Sequence, residues 1–340
     1  LAVEFGESSL AGVSSLIAES KRLGAPYHAR AAADLRVAEA YMQLAGPPLA
    51  QALESIARAR KASPEERELS LLEAQALMRA GRYAEASKLL EGLPAKTARV
   101  VRTRARLAWY QGQRKAAREL LSKSASYGLS LQQMDLDLAR FSVWDRSADD
   151  RVLHRLRALA GDKDLSRAER SWAHLLSSVI HRRQGRLSSS RRALRRSLEE
   201  QPVADADFHA LAAAELLASN QHQKARDEAE RARVLAPQHR GYRRTLARVE
   251  LAMDRSLAAV RLLEGSRDSD DRLVLVAAYV RRRQLGRART LWAQLPSSPS
   301  LARQLVTARL LLAEGKPFQV LRELSGLPVK QRDHASVEVL

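Results

Sequence analysis

The sequence predicts an all-α fold, a solenoid of about nine helix–turn–helix pairs. Three observations predict it. A site that is mostly alanine falls at positions 52, 86 and 117, then at 190, 225, 259, 288 and 320, in steps of 34 and 31, then 35, 34, 29 and 32. Such self-similarity is the signature of a repeat architecture. Hydrophobic residues make up 45% of the chain but aromatics only 4%, so the core is built by helices that approach closely on alanine and leucine. No stretch alternates apolar and polar residues with β-branched enrichment, which leaves no signal for a sheet.

The elements follow in order. Residues 1–24 hold one helix, Glu7 to Leu23, closed by Gly24, and can be read as the end of a preceding repeat. Pro26 starts the next segment. The first pair is Ala32 to Leu44 with Pro48 to Arg60, stopped by Pro64; the second is Glu66 to Ala80 with Tyr83 to Leu90. The third runs from Val100 to Gln111, turns at Gly112 and continues from Lys115 to Ser122. The fourth, Leu131 to Phe141 with Asp150 to Leu159, has a turn at Trp144-Asp145-Arg146-Ser147 that lacks glycine, and the polar stretch from Gly161 to Ser166 after it is expected to be the loosest join. The fifth is Ala168 to Gln184 with Ser188 to Glu200, split at Gly185 and stopped at Pro202. The sixth runs from Ala206 to Pro237; its first helix ends at Asn220, which tolerates a left-handed cap. The seventh is Tyr242 to Met253 with Ser256 to Leu263, the eighth Asp271 to Gln284 with Arg287 to Leu295, and the ninth Leu301 to Glu314 with Pro317 to Leu324. Residues 329–340 look like the start of a further, truncated repeat, and the sequence reads as an excerpt of a longer protein.

The sixth pair has a small residue mid-way along its first helix, Ala213, a turn at Asn220, alanines early and late on its second helix, Ala225 and Ala232, and a closing Pro237. Gly81-Arg82-Tyr83-Ala84-Glu85-Ala86 has the matching turn. In these features the chain resembles the tetratricopeptide repeat family, over about residues 25–328. The resemblance implies a right-handed superhelix in one elongated body, with first helices lining a concave groove. The mid-first-helix site is small at Ala74, Ala105, Ser178, Ala213, Ala247 and Ala308 and departs at Val276. A large side chain there, or at Ala225, would force the two helices apart; Ala229 is expected to lie nearer the surface.

The formal net charge is +19, with a pI near 10.8 and 48 arginines against 10 lysines. That bias suggests a GC-rich bacterial genome. The charge favours acidic partners. There is no cysteine, which excludes disulfides and thiolate metal sites and leaves bacterial cytoplasm and periplasm both open. No apolar run reaches the ~18 residues of a membrane span.

Catalytic motifs are absent: no phosphate loop ending in Gly-Lys-Ser/Thr, no His-Glu-x-x-His and no Gly-x-Ser-x-Gly. No cofactor or metal site is expected. His174 and His181 share a helix without a third ligand nearby and read as packing or surface residues. Asp268-Ser269-Asp270-Asp271 lacks the glycine and closing glutamate of a calcium loop and reads as a helix cap. The densest basic cluster, Arg182, Arg183, Arg186, Arg191, Arg192, Arg195 and Arg196, reads as a solvated face before it reads as an anion-binding patch. Trp292 is expected in the core.

The function expected is that of a non-enzymatic scaffold holding an acidic protein segment. The resemblance puts Arg99, Arg102, Arg106, Arg182, Arg183, Arg244, Arg248, Arg281 and Arg309 on the groove, with Trp109, Tyr110 and Trp172 as apolar contacts. Charge-assisted hydrogen bonds to carboxylates would do the holding. Glutamate at Arg102, Arg106, Arg244 and Arg248 is then expected to abolish binding with melting temperature nearly unchanged. The carboxylate clamp of the family's chaperone adaptors does not fit, because the corresponding positions Gln75, Arg106, Val179, Ala214 and Arg248 include no asparagine. The alternative is a ligand- or polysaccharide-sensing part of a larger bacterial regulator or envelope machine. Nucleic acid is disfavoured, since no aromatic-interleaved basic stripe is present.

Overall fold

The structure, a computed structural model, describes residues 49–62, 67–94, 96–145, 150–200, 205–237, 239–296 and 301–325. The helices expected over 7–23 and 32–44, the stops at Pro64 and Pro202, the turn residues Arg146 and Ser147 and the segment 329–340 lie outside the described residues. Within them every regular element is helical and none is a strand.

The helices are α1 (Leu49–Ala62), α2 (Arg67–Arg79), α3 (Tyr83–Glu91), α4 (Ala98–Tyr110), α5 (Arg114–Ser124), α6 (Leu131–Trp144), α7 (Asp150–Gly161), α8 (Arg167–Arg183), α9 (Leu187–Glu199), α10 (Ala206–Ala218), α11 (His222–Leu235), α12 (Arg240–Ala252), α13 (Ser256–Leu263), α14 (Ser269–Arg281), α15 (Leu285–Ala293), α16 (Leu301–Ala313) and α17 (Pro317–Ser325). From α2 onward, even-numbered helices are the first members of hairpins and odd-numbered ones the second. This is a helical solenoid architecture. By packing, the chain divides into two units: residues up to Glu215 with Arg231–His239, and Leu216–Glu230 with everything from Arg240.

Small residues set the hairpin spacing. Ala74, Ala105, Ala213, Ala247 and Ala308 on first helices are fully buried, as are Ala86, Ala117, Ala225, Ala259 and Ala288 on second helices. In the fifth hairpin both sites are serine and they meet: Ser178 Oγ, twelve residues before Ser190, donates to the Ser190 carbonyl at 3.0 Å. Two helices whose side chains there end at Cβ or Oγ can approach to contact. Val276 is also fully buried, so the eighth hairpin takes one branched residue at this point. Ala229 is as buried as Ala225. The expectation of a more exposed position 229 is corrected: α11 carries buried alanine at 225, 229 and 232 on one face, and Ala236 just beyond its end is buried as well.

The turns share one geometry. In every fully described hairpin turn, the second residue after the first helix adopts left-handed φ, and the next N–H reaches back five residues, as from Arg82 to the Leu77 carbonyl at 2.8 Å and from Arg255 to the Glu250 carbonyl at 2.8 Å. This is the Schellman pattern that satisfies the last carbonyls of a helix. Glycine fills the left-handed position at Gly81, with φ of 74°, but Asn220, Asp254 and Arg283 hold it at φ of 58°, 61° and 58°. Nothing in residue type marked Asp254 or Arg283 as turn residues.

The segment from Gly161 to Ser166, expected to be the loosest join, ends in a capping box. Ser166 accepts from the Glu169 N–H, and Glu169 reaches back to the Ser166 N–H at 3.1 Å. Asp268 caps α14, its side chain accepting from the backbone of Asp270 and Asp271, so the helix begins at Ser269.

Candidate functional site

The first helices carry the residues expected to meet a partner, and in each unit those residues engage neighbouring helices. In the first unit, Arg99 of α4 pairs with Glu68 of α2, and Gln75 of α2 donates to Thr103 of α4 at 3.2 Å. Arg102 and Arg106, one turn apart on α4, both reach Asp137 of α6: Arg102 Nε donates at 2.6 Å, Arg106 Nη2 at 2.7 Å. Gln133 of α6 donates to Glu169 of α8 at 2.9 Å. Arg182 of α8 grips Glu215 of α10 through Nε and Nη2 at 2.8–3.0 Å. In the second unit, Arg244 of α12 donates to Asp271, Asp270 and Asp268 at 2.6, 2.6 and 2.9 Å. Arg281 of α14 donates to the Leu251 carbonyl at 2.5 Å.

Asp137 is the centre of this polar system. Its side chain is 0% exposed, and Arg140 Nη1 lies 3.7 Å away in addition to Arg102 and Arg106. Burial by itself pushes its carboxyl up, but Arg106, Arg102 and Arg140 outweigh burial and hold it well below the usual carboxylate range. Arg140, itself buried, lies over the Trp172 ring at 3.5 Å and donates to Asp205 at 2.9 Å. The guanidinium is thus held between a ring face and two carboxylates.

Aromatic residues extend the system. Tyr83 and Tyr110 stack, centroids 5.5 Å apart. Tyr110 donates its hydroxyl to Asp207, and Tyr83 shares a 2.9 Å hydrogen bond with His239 Nε2. Burial and then the Asp207 charge push the Tyr110 phenol well above its ordinary value, so it is a neutral donor. Within this unit, the acidic residues Asp205 and Asp207 therefore lie against arginines and tyrosines contributed by α3, α4 and α6.

The remaining expected residues fall as follows. Trp109 is buried, stacked on Phe141 at 4.2 Å. Trp172 is buried edge-on against Phe208. Both fill space between successive helices, which leaves no open ring face for a partner. Arg183 donates to the Val143 carbonyl at 2.5 Å. Arg309 is half-buried on α16, and Arg248 is exposed on α12 with no ion partner among the described residues. Trp292 is only partly buried, its indole N–H donating to Thr307 at 3.2 Å and Arg303 lying over its ring. Residue types alone did not single out Asp137, Arg140, Asp205 or Asp207. The usable signal was spacing: Asp137 follows Arg102 by 35 residues and Glu215 follows Arg182 by 33, about one repeat.

Among the described residues no group of histidine and carboxylate side chains is placed to hold a metal. No described helix is long and apolar enough to cross a membrane.

The tetratricopeptide repeat family model matches residues 49–108, the stretch from α1 through most of α4. The chain carries tetratricopeptide repeats. The solenoid is similar to the crystal structure of the APC/C hetero-tetramer Cut9–Hcn1, with a TM-score of 0.50 at 13% identity over 81% of this chain. It spans 53% of that structure's chain, about half its length. A tetratricopeptide repeat protein from Parabacteroides merdae is matched over 78% of this chain and 98% of its own, with a TM-score of 0.43 at 15% identity. PilF of Pseudomonas aeruginosa is matched over 61% and 97%, with a TM-score of 0.42 at 14% identity. No curated protein sequence matches the chain.

Proposed function

We propose that this tetratricopeptide repeat chain is a non-enzymatic protein-interaction scaffold, and that the segment it holds is acidic. The repeat fold supports the first part. What supports the second is the chain's own chemistry: the arginine- and tyrosine-bearing faces of α4 and α6 accept carboxylates from Asp205 and Asp207. A partner's Asp or Glu side chains would use the same charge-assisted hydrogen bonds. Within each unit taken by itself, the contacts fall to an arginine with an accessible head: Arg99 in the first, whose side chain is 56% exposed, and Arg248 in the second. The guanidiniums of Arg106 and Arg182, each 33% exposed, would add their outer N–H groups. Arg102 and Arg183 would then set the shape of the face in the first unit, and Arg244, Arg281 and Arg309 that in the second.

A labelled Asp/Glu-rich peptide titrated into the full chain tests this by fluorescence anisotropy. Arg99→Glu with Arg248→Glu should abolish binding and leave the circular dichroism spectrum intact. Arg191→Glu with Arg195→Glu, exposed on the second helix α9, should weaken it only slightly, and binding should fall as salt rises. Loss of binding in the α9 variant alone would move the site to the second helices and overturn the reading.

A further inference from the structure

A cavity of about 600 Å³ lies between α7, α8 and α9. Arg157 of α7, His174, Ser177 and His181 of α8, and Arg192, Arg196 and Glu199 of α9 line it, with Glu200 just beyond α9. Ala160, Gly161 and Ala193 supply the apolar part of the lining.

Its charges do not cancel locally. Arg192 and Arg196 are one turn apart on α9 and face the cavity together. Neither they nor Arg157 has a carboxylate partner among the described residues, unlike Arg102, Arg106, Arg182 and Arg244 of the first helices. Glu200 is already taken, accepting from Arg170 at 3.1 Å with His174 at 3.7 Å. That leaves the three guanidiniums against Glu199 alone. A second feature is independent of charge count. His181 is 7% exposed, and its Nδ1 is buried with no hydrogen-bond partner. A buried, unsatisfied ring nitrogen costs about 1–3 kcal/mol, and native proteins keep few such groups without a use for them. Burial, then Arg157 and Arg186, hold the His181 imidazole below its ordinary value, so the ring is neutral and adds no charge of its own.

We propose that this cavity binds a phosphate group, free or carried by a small molecule, gripped by Arg157, Arg192 and Arg196, with the His181 ring in the cavity wall beside it. Three guanidiniums exceed what one carboxylate can satisfy and suit a dianion with three accessible oxygens. The volume falls in the range of small-ligand sites, with room for an organic group beside the phosphate. The inference does not depend on the scaffold reading, since it uses no residue of the first-helix ion pairs.

Isothermal calorimetry on the full chain, in chloride buffer at fixed ionic strength, tests it with inorganic phosphate and with glycerol phosphate as probes. Saturable binding is expected, with a shift of the His181 Cε1–H resonance at the same midpoint. Tighter binding of glycerol phosphate would mark the organic group as part of the ligand; equal binding would mark phosphate alone. Arg192→Ala with Arg196→Ala should weaken binding by about ten-fold or more. Arg191→Ala with Arg195→Ala removes the same charge from the same helix outside the cavity and should change it by less than about two-fold. All four arginines are exposed, so neither variant should lose helicity. Equal effects of the two variants would reduce the binding to diffuse charge and overturn the proposal. So would the absence of saturation with both probes, or a saturating probe that leaves the His181 resonance unmoved.

Discussion

Replacing Asp137 by asparagine removes one charge and almost no volume, and it should be among the costliest substitutions in the first unit. The carboxylate is fully buried and accepts from Arg102 at 2.6 Å and from Arg106 at 2.7 and 3.2 Å, with Arg140 close by. Removing one member of a buried ion pair costs about 3–5 kcal/mol, because the partner charge stays behind uncompensated. Here the partners are partly solvated, Arg102 at 17% and Arg106 at 33% exposure, and asparagine keeps one acceptor oxygen. The low end, about 3 kcal/mol, is the better figure. For a unit of this size that corresponds to roughly 6–12 °C in melting temperature. Tryptophan fluorescence suits the measurement, since Trp109, Trp144 and Trp172 all belong to this unit and Trp172 touches Arg140. Glu85→Gln, which breaks an exposed pair with Arg82, is the control and should leave the midpoint where it was. A melting temperature for Asp137→Asn within about 2 °C of the parent would refute the reasoning, because it would mean the guanidiniums find water or other acceptors at no cost.

The same carboxylate predicts an acid limb. Its folded pKa is depressed, so its contribution is complete above the unfolded value of ~3.9 and is lost as pH falls toward the folded value; parent and Asp137→Asn stability curves should run parallel above about pH 5 and converge below about pH 4. Ala225→Leu and Ala229→Leu should each destabilise by about 1–3 kcal/mol through overpacking, measured by urea denaturation, and a cost at only one of them would mean the other face of α11 can yield. Arg283→Gly should stabilise the second unit by about 1 kcal/mol by relieving a left-handed backbone, whereas a loss would show that the Arg283 side chain does something its backbone does not reveal. Glutamate at Arg102, Arg106 and Arg244, expected from sequence to be silent for stability, should instead lower the melting temperature, because each would face a carboxylate it now neutralises.

The hairpins were legible because their signal is local and redundant. Alanine at 86, 117, 225 and 259 repeats at nearly one period, and the turn glycines at 81, 112, 185 and 315 need no knowledge of the rest of the chain. Asp254 and Arg283 were not legible as turns, since residue type does not announce a left-handed backbone outside glycine and asparagine. Side-chain destinations were harder. An arginine on a first helix has the same sequence pattern whether it faces solvent or the next helix, and only its partner separates the two. Asp137 lies beside Leu136 and within the same turn as Arg140 and Phe141, where helical spacing reads as a mixed face. Trp109 and Trp172 illustrate the same limit: helix position placed them beside the groove, but their burial depends on Phe141 and Phe208, each contributed by a later hairpin.

The pairing of Arg102 and Arg106 with Asp137, of Arg182 with Glu215 and of Arg244 with Asp271 means that each of these hairpins completes its electrostatics only in its successor. Such hairpins are not interchangeable tiles. Deleting the fourth hairpin would strip Arg102 and Arg106 of Asp137, and duplicating one would leave a carboxylate without its cation. The close-packing sites, alanine in most hairpins, would tolerate such a shuffle; the charges would not. The ion pairs therefore act as a parity check on repeat order, so that chimaeras spliced at equivalent turns should fold only where the junction preserves an arginine and the acid one period beyond it.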